Sequence, residues 1–587
     1  MSTSIRRSAW AITFALAAAA CGGGSDSSPS SEPATSDIVA SDEGTEIEPD
    51  ATPVATDAAA PPASDDGSAN AVVEEVVEEE LEPVAGGTLR MALEADAGGL
   101  NPTSSALTAS GLNMANAVFD TLAAIGADGA AVPYLAESIE PVDGDLTLWR
   151  MRLRPGIVFH DGTPLDAAAV KTNFDTQLAS PLVSMAIRPF FPTDGAATVV
   201  DDLTVDYQVL EPNSTFPSQL TGQLGMMASP TWLAAAAEDA TLNQAPVGTG
   251  PFVIDSREQD SVTRFVRNDA WWGGEVYLDA VEFLPVPDPS TRNDLAFNGD
   301  VQMIHTVDPA SSGDLLEDDD LQSVLDETGE ENFIMLNAAV PPFDDLRVRQ
   351  ALTYATPLQN VRDLIGLGIA RPADQMFTPD QPYFNPDVVQ EGDDPERALE
   401  LVSEYCTDVP EGCSDGKVDI VFSFGGGTVA ASREAEILEQ GWKVGFNVEF
   451  NEIVQDSLVV NVATGQYQTT TWRQFGGIDP TDLRPNLMCR TVTEGISLNF
   501  ARFCSEERDA LIVEAQATVD PEARIPLWQA VVKDMQDAYS YIFTRHSPWV
   551  VAFDPDVRGV CDRTSPDGTA LRCVSNGRTW FDSTWIV

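Results

Sequence analysis

The sequence predicts an α/β protein built from two or three folded lobes. At 587 residues the chain is too long for a single hydrophobic core. Strand and helix patterns also alternate, most clearly in a strand over residues 418–424, a glycine turn over 425–427, a helix over 429–442 and a strand over 447–451. This order is typical of a βαβ unit, whose two strands run parallel.

Composition and charge exclude one broad class of partner. Hydrophobic residues make up 43% of the chain, as in soluble globular proteins, and the net charge of −61 gives an isoelectric point near 4.1. A nucleic-acid-binding surface would be basic. An acidic surface favours solubility and attracts cations, and we interpret it as a solvated face rather than a charge-selective one.

The N-terminus has the features of an export signal. Arg6 and Arg7 precede an apolar run that ends at Ala20, and Cys21 follows at the expected cleavage point. The arrangement resembles the lipobox of bacterial lipoproteins, although Ala18 stands where that motif prefers Leu. We therefore expect residues 1–21 to be a signal peptide ending in a lipidated Cys21, with ordinary cleavage and an incidental cysteine as the alternative.

A disordered acidic linker is expected over residues 22–85. Between Gly22 and Ala85 the chain carries seventeen acidic residues and no Lys or Arg, and aromatic residues are absent. Such a segment cannot bury enough apolar surface to offset the entropy of ordering. Its simplest role is a tether between membrane and folded body.

Six of the seven cysteines fall into local couples. The couples are Cys406/Cys413, Cys489/Cys504 and Cys561/Cys573, which leaves Cys21 alone. Short loops between the partners suit disulfides in an oxidising compartment. Zinc binding is the competing interpretation, but no CxxC motif occurs and the chain has three histidines.

The folded part begins at Gly86 with the alternating strand GGTLRMAL, followed by Leu100-Asn101-Pro102 and by VFDTL over residues 118–122. Farther along, LRPGIVFHDGTPL precedes a helix whose N-cap is Asp166. His160 in this stretch is interpreted as part of a structural turn rather than as a catalytic or metal-binding group.

Two longer segments carry the most specific signal. Residues 246–273 read PVGTGPFVIDSREQDSVTRFVRNDAWWG, a glycine-rich turn and a predicted hairpin that ends in Trp271 and Trp272. Residues 332–357 read NFIMLNAAVPPFDDLRVRQALTYATP, in which Asp344 and Asp345 are placed to cap a helix. Arg347 and Arg349 in this segment are expected to pair with carboxylates rather than with ligand.

These segments resemble, in the same order, the PVGTGPY…ERNPDYWG and FNxxxPPFxDxRVRQALxYAID motifs of bacterial extracellular solute-binding proteins of the oligopeptide/dipeptide/nickel class, family 5. The resemblance runs from Gly86 to the C-terminus. It implies a type II periplasmic-binding fold of three lobes with the ligand cleft between the two larger ones. By analogy, lobe I takes about 86–122, 200–328 and 548–587, lobe II about 123–199, and lobe III about 329–547.

The resemblance also implies a site. Residues 472–482, WRQFGGIDPTD, resemble the family's GWxxDYxDP stretch, whose first aspartate binds the α-amine of peptides. Here Gly477 lies near that position and Asp479 matches the later Asp-Pro, so either Asp479 takes over the role or the anchor is missing. We expect Trp472, Arg473, Phe475, Gly477, Asp479 and Asn101 to contact ligand, with Arg473 and Asp479 as a polar pair. Packing of Trp472 and Phe475 in a lobe interface is the alternative.

Three functions remain to be weighed. The leading hypothesis is a monomeric, lipid-anchored receptor on the outer face of the cell membrane that closes on a peptide or similar solute and delivers it to the permease of an ABC importer. It would need no cofactor and no metal, and nickel is disfavoured by the three histidines. A solute-sensing or partner-docking lipoprotein of the same fold is the alternative. An enzyme is disfavoured because neither G-x-S-x-G nor H-E-x-x-H occurs.

Overall fold

The computed structural model describes residues 82–587 except 427, 475, 478 and 494, and it describes only the backbone of 328, 329, 455 and 456. The expected signal peptide, Cys21 and nearly all of the expected linker lie outside the described residues, as does Phe475. Among the described residues, no helix combines the length and apolar character needed to cross a membrane.

The strands are β1 (Thr88–Leu93), β2 (Ala123–Ile125), β3 (Ala131–Pro133), β4 (Ala136–Val142), β5 (Asp145–Leu153), β6 (Ala197–Asp201), β7 (Thr204–Gln208), β8 (Phe252–Glu258), β9 (Val262–Arg267), β10 (Ala280–Pro285), β11 (Met303–Thr306), β12 (Gln322–Leu336), β13 (Arg371–Pro372), β14 (Cys413–Ser414), β15 (Lys417–Gly425), β16 (Phe446–Ile453), β17 (Thr469–Gln474), β18 (Tyr541–Phe553), β19 (Val557–Arg558) and β20 (Trp585–Ile586).

The helices are α1 (Ala109–Val118), α2 (Ala167–Ala179), α3 (Ser184–Ile187), α4 (Pro230–Glu238), α5 (Pro289–Phe297), α6 (Pro309–Glu317), α7 (Leu346–Ala355), α8 (Leu358–Gly366), α9 (Pro395–Asp408), α10 (Val429–Trp442), α11 (Gln455–Thr464), α12 (Arg484–Leu487), α13 (Glu506–Ala517) and α14 (Pro521–Ala538).

One large mixed sheet organises the fold. Its strands follow the order β14-β15-β17-β12-β18-β11-β1-β10-β9-β8, with β16 beside β15 and β13 beside β18. We call β1 and β8–β11 the first half-sheet, and β14–β17 the second half-sheet. The long strands β12 and β18 pair with each other and connect the two halves.

The pairing of β12 with β18 is interrupted in the middle. Asp326 lies opposite Trp549 and Glu330 lies opposite Ser547, so four steps along β12 correspond to two along β18. Extra residues in one strand bend and twist a ladder locally. The two half-sheets therefore meet at an irregular crossing of only two strands, which we call the hinge.

Local sequence accounts for the elements predicted in advance. The βαβ unit is confirmed, with β15 and β16 parallel and α10 between them. The hairpin is confirmed as β8 and β9. N-caps predicted at Asp166 and Asp345 accept hydrogen bonds from backbone amides of their own helices, which satisfies otherwise unpaired donors.

The glycine-rich turn makes the close approach that its composition predicts. Gly248 and Gly250 pack against the end of α1, and a Cβ atom on Gly248 would lie 2.0 Å from the carbonyl oxygen of Val118. Trp271 and Trp272 after the hairpin donate their indole N–H groups to Asp120, at 3.3 and 2.7 Å from Oδ2. The motif of residues 246–273 is thus bound to the early part of the fold.

A separate four-stranded antiparallel sheet has the order β4-β5-β7-β6. Phe174, Phe191 and Phe216 form an aromatic cluster with Tyr207 of β7. Because β7 belongs to this sheet, the predicted lobe boundary between residues 199 and 200 cuts through it. The sheet itself extends to Gln208.

The three predicted disulfides are present: Cys406–Cys413, Cys489–Cys504 and Cys561–Cys573.

The two arginines of the second long motif have different kinds of partner. Arg347 pairs with Asp345 and Asp408, as predicted. The prediction for Arg349 is wrong, because its buried guanidinium donates to the carbonyl groups of Phe343 and Ala538.

Candidate functional site

Strand direction locates the candidate cleft. The first half-sheet has β1, β10 and β11 parallel, and the second has β15, β16 and β17 parallel. The antiparallel steps from β11 to β18, β12 and β17 reverse the direction, so the carboxyl ends of both sets point toward the hinge. Ligands of α/β sheets bind outside the carboxyl ends of strands. A cleft between the two sets of strand ends is the candidate site.

Trp472 and Arg473 lie near the end of β17, at the hinge. Trp472 is half-buried, and its ring packs edge-on against Phe500 with 5.5 Å between ring centroids. Arg473 Nε is 2.6 Å from a carboxylate oxygen of Glu330 on β12. The guanidinium also lies over the ring of Trp549, 5.3 Å from its centroid.

Glu94 approaches the same guanidinium from the other half-sheet. It follows β1 directly, and its carboxylate is 3.8 Å from Arg473 Nη2. The side chains of Arg473, Glu94 and Glu330 keep 33, 25 and 27% of their surface exposed, so solute in the cleft can reach all three. Sequence reasoning missed both glutamates, and the only signal for Glu94 was its place immediately after the first strand.

Asp479 is engaged elsewhere. It is the N-cap of the short 3-10 helix Pro480–Leu483 and accepts from the Thr481 amide at 2.9 Å. Both carboxylate oxygens also accept from Arg524, at 2.7 and 2.8 Å. The predicted pair of Arg473 with Asp479 is therefore wrong, because Arg524 on α14 binds Asp479 while Glu330 and Glu94 bind Arg473.

The remaining predicted contacts lie in different surroundings. Asn101 is buried, where its Oδ1 accepts from Thr103 and its Nδ2 donates to Asn243, so its polar atoms hold a turn. Gly477 is half-buried beside Leu483 in the loop after β17.

A second carboxylate lies beside Asp479. Asp482 accepts a hydrogen bond from Ser218 Oγ at 3.0 Å. Burial, reinforced by the neighbouring charge of Asp479, raises the pKa of Asp482 to about 7. Thr215 also contacts Asp479, so the segment around residues 215–218 is joined to the loop after β17 by two polar contacts. Nothing in the local sequence pattern indicated this pairing.

The three histidines are held in neutral, structural positions. His160 Nε2 donates to the Gly250 carbonyl, and burial lowers its pKa. His305 Nδ1 faces the Gly577 carbonyl. His546 Nδ1 is 3.2 Å from a carboxylate oxygen of Glu331 on β12. Burial lowers the pKa of both histidines to about 4. Burial also raises the pKa of Glu331. Across the described residues, no group of three or more His, Cys, Asp or Glu side chains is arranged to hold a metal ion.

Comparison with known proteins gives the family. The model of bacterial extracellular solute-binding proteins, family 5 Middle, matches residues 130–492, which is more than half of the chain. The dipeptide-binding protein of Escherichia coli K12 is 26% identical over 450 residues, which cover 73% of this chain and 83% of that protein.

Solved structures show the same fold. The periplasmic binding protein DppA of Helicobacter pylori, in complex with the peptide STSA, superposes with a TM-score of 0.74 at 18% identity over 86% of this chain and 98% of that one. The PBP AgaA of A. tumefaciens R10, in complex with agropinic acid, gives a TM-score of 0.73 at 21% identity over 85 and 99% of the two chains. The predicted periplasmic-binding fold is thereby confirmed, and the chain belongs to the bacterial extracellular solute-binding proteins of family 5.

Proposed function

We propose that this protein is the extracytoplasmic receptor of an ABC importer and that it binds peptides or peptide-like solutes by closing its lobes. One observation carries the proposal: the carboxyl ends of two sets of parallel strands face each other across a two-strand hinge. Such a crossing lets two rigid bodies rotate about a few residues, and a solute that contacts both bodies stabilises the closed state. Family membership and the peptide ligands of two similar proteins support the solute class.

The boundaries of the proposed lobes are placed at the hinge and at the ends of the four-stranded sheet β4-β5-β7-β6. Lobe I takes about residues 86–122, the segment from beyond Gln208 to about 328, and 548–587. Lobe II takes about 123–208, and lobe III about 329–547. The described break in pairing between Asp326 and Glu330 supports the boundary between lobes I and III.

We propose that Asp479 does not bind the solute. Its two oxygens are already bound by Arg524, and a charge buried in such a pair is costly to release. Trp472, Arg473 and Gly477 near the end of β17 are the proposed solute contacts, together with Phe475, which lies outside the described residues. Asn101 holds the turn at residues 101–103 and is not among the proposed contacts.

The proposed cellular setting completes this function. A lipidated Cys21 would hold the protein on the outer face of the membrane, and residues 22–85 would act as the tether. The solute is bound and released unchanged, so the proposal assigns no catalytic residue. The partners are the permease subunits, and the receptor acts as a monomer.

A thermal-stabilisation screen tests the proposal. The whole chain carrying Cys21→Ser, which prevents acylation, is heated with dipeptides, longer peptides, glutathione and agropinic acid. A solute that binds only the folded state stabilises it by RT ln(1 + [L]/Kd), so the melting temperature rises with the logarithm of the solute concentration once this exceeds Kd. We expect stabilisation by peptides, loss of that response in Trp472→Ala and its retention in Trp472→Phe. No response to any peptide would contradict the proposed solute class.

A further inference from the structure

We propose that Arg473 and Glu94 form a charge latch across the hinge, which sets how often the protein closes without solute. Arg473 belongs to the second half-sheet, and Glu94 follows β1 of the first half-sheet. The inference rests on the hinge closure proposed above and adds a conformational role to two residues at the cleft.

The two carboxylates around Arg473 differ in their relation to the hinge. Glu330 is on β12 beyond the break in pairing, next to β17, which pairs with Glu331 and Asn332. A rotation about the hinge leaves the contact of Arg473 with Glu330 in place. The contact with Glu94 crosses the break, so the same rotation lengthens it.

The first half-sheet holds Glu94 in position through its backbone. The Glu94 amide donates to His305 Nε2 at 3.2 Å, while His305 Nδ1 faces the Gly577 carbonyl at 3.0 Å. Since a carbonyl only accepts, Nδ1 carries the proton and Nε2 is free to accept from Glu94. The His305 ring also stacks on Trp549 at 5.2 Å, the ring over which Arg473 lies.

These contacts make Arg473 a group whose surroundings change on closure. With the half-sheets together, one guanidinium is close to two carboxylates and an indole ring. With the half-sheets apart, it keeps Glu330 and loses Glu94. Only an interaction that differs between two states shifts the equilibrium between them. Because the side chains are about one-third exposed, we expect removal of the latch to lower the ratio of closed to open molecules by about 2- to 5-fold.

The test measures the distance between the half-sheets without solute. Spin labels are placed at Glu258→Cys on β8 and Glu449→Cys on β16, both exposed, in the whole chain carrying Cys21→Ser. We expect Glu94→Gln to shift the population toward longer distances. Raising the salt from 20 to 500 mM should shift the parent in the same direction and leave Glu94→Gln almost unchanged.

Matched variants separate the latch from other effects. Glu94→Asp keeps the charge on a shorter side chain and should give an intermediate distribution. Arg473→Gln should open the protein, and adding Glu94→Gln to it should have no further effect, since the two act as a pair. Glu137→Gln removes an exposed partner of Arg152 in the four-stranded sheet β4-β5-β7-β6 and should leave the distance between the spin labels unchanged.

Two results would overturn the inference. One is an unchanged distance distribution in Glu94→Gln without solute, whatever happens to solute affinity, which would make Glu94 a ligand contact or a bystander. The other is full additivity of Glu94→Gln and Arg473→Gln. Because the measurement contains no solute, failure to find any ligand would leave its outcome interpretable.

Discussion

Asp479 and Arg524 form a bidentate ion pair, in which both carboxylate oxygens accept hydrogen bonds from the guanidinium. The pair joins the loop after β17 to α14, and the Arg524 side chain is 5% exposed. A carboxylate in the loop after a strand that ends at a binding cleft would ordinarily be interpreted as a group that binds the ligand. Here its partner is another part of the protein.

Asp479→Asn should therefore destabilise the fold more than it weakens binding. It leaves a buried guanidinium without its counter-charge, which costs about 3 kcal/mol in comparable pairs. Urea denaturation measures this loss, and Asp537→Asn, which removes the exposed partner of Lys533, should cost less than about 0.5 kcal/mol. If Asp479→Asn abolished peptide binding at unchanged stability, Asp479 would be a ligand anchor after all.

Asp482 predicts a pH dependence of stability. Its folded pKa of about 7 lies above its ordinary value of 3.8, so the folded state holds the proton more tightly than the unfolded state. The corresponding stability is fully present below about pH 4 and is lost as the pH rises toward 7, by up to about 1.4 kcal/mol per pH unit.

Urea denaturation at several pH values tests this assignment. Asp482→Asn should remove the part of the decline between pH 4 and 7 that Asp482 contributes, so its stability falls less steeply than that of the parent, and it should be more stable than the parent at pH 8. Ser218→Ala should extend the decline above pH 7, because the Ser218 hydrogen bond lowers the pKa of Asp482. An identical pH profile for the parent and Asp482→Asn would show that Asp482 does not titrate in this range.

The paired tryptophans allow a matched comparison at one buried carboxylate. Trp272 donates to Asp120 at 2.7 Å and Trp271 at 3.3 Å, and Thr249 supplies a third donor at 3.0 Å. Trp272→Phe should cost about 1–3 kcal/mol of unfolding free energy, since Asp120 is buried and loses its shortest bond. Trp271→Phe should cost less, and the reverse order in urea denaturation would contradict this geometry.

The length of the loop that a disulfide closes predicts how much that disulfide stabilises the protein. Cys489 and Cys504 are 15 residues apart and Cys406 and Cys413 are 7 apart. Chain entropy predicts a loss of about 3 kcal/mol on replacing the first pair by serines and a loss about 0.7 kcal/mol smaller for the second. Calorimetry or urea denaturation would measure both, and equal losses would show that the stabilisation is not governed by loop closure.

Sequence predicted what local chemistry determines. The βαβ unit, the hairpin and the aspartate N-caps depend on residues a few positions apart, so period and turn composition were sufficient. The fold followed from two motifs that resemble a family. The partners of Asp479 and Arg473 could not be predicted, because Arg524 lies on a distant helix and Glu94 follows the first strand of the other half-sheet.

Two errors have the same physical origin. The acidic composition predicts carboxylate partners for Arg349, yet Arg349 is buried in the first turn of α7, where the carbonyl groups of Phe343 and Ala538 are nearer. The predicted boundary after residue 199 lies inside β6, because nothing in the local sequence indicates that β6 and β7 join the sheet of β4 and β5. Charge and composition constrain such contacts only on average, and tertiary packing decides them.

Native mass spectrometry of the whole secreted chain carrying Cys21→Ser, recorded before and after denaturation, tests the central claim most directly. The account predicts a non-covalent mass that is released on denaturation and fragments as a peptide, or a mass shift when peptides are added. A chain that takes up no peptide but carries a bound sugar, opine or metal chelate would contradict the proposed function.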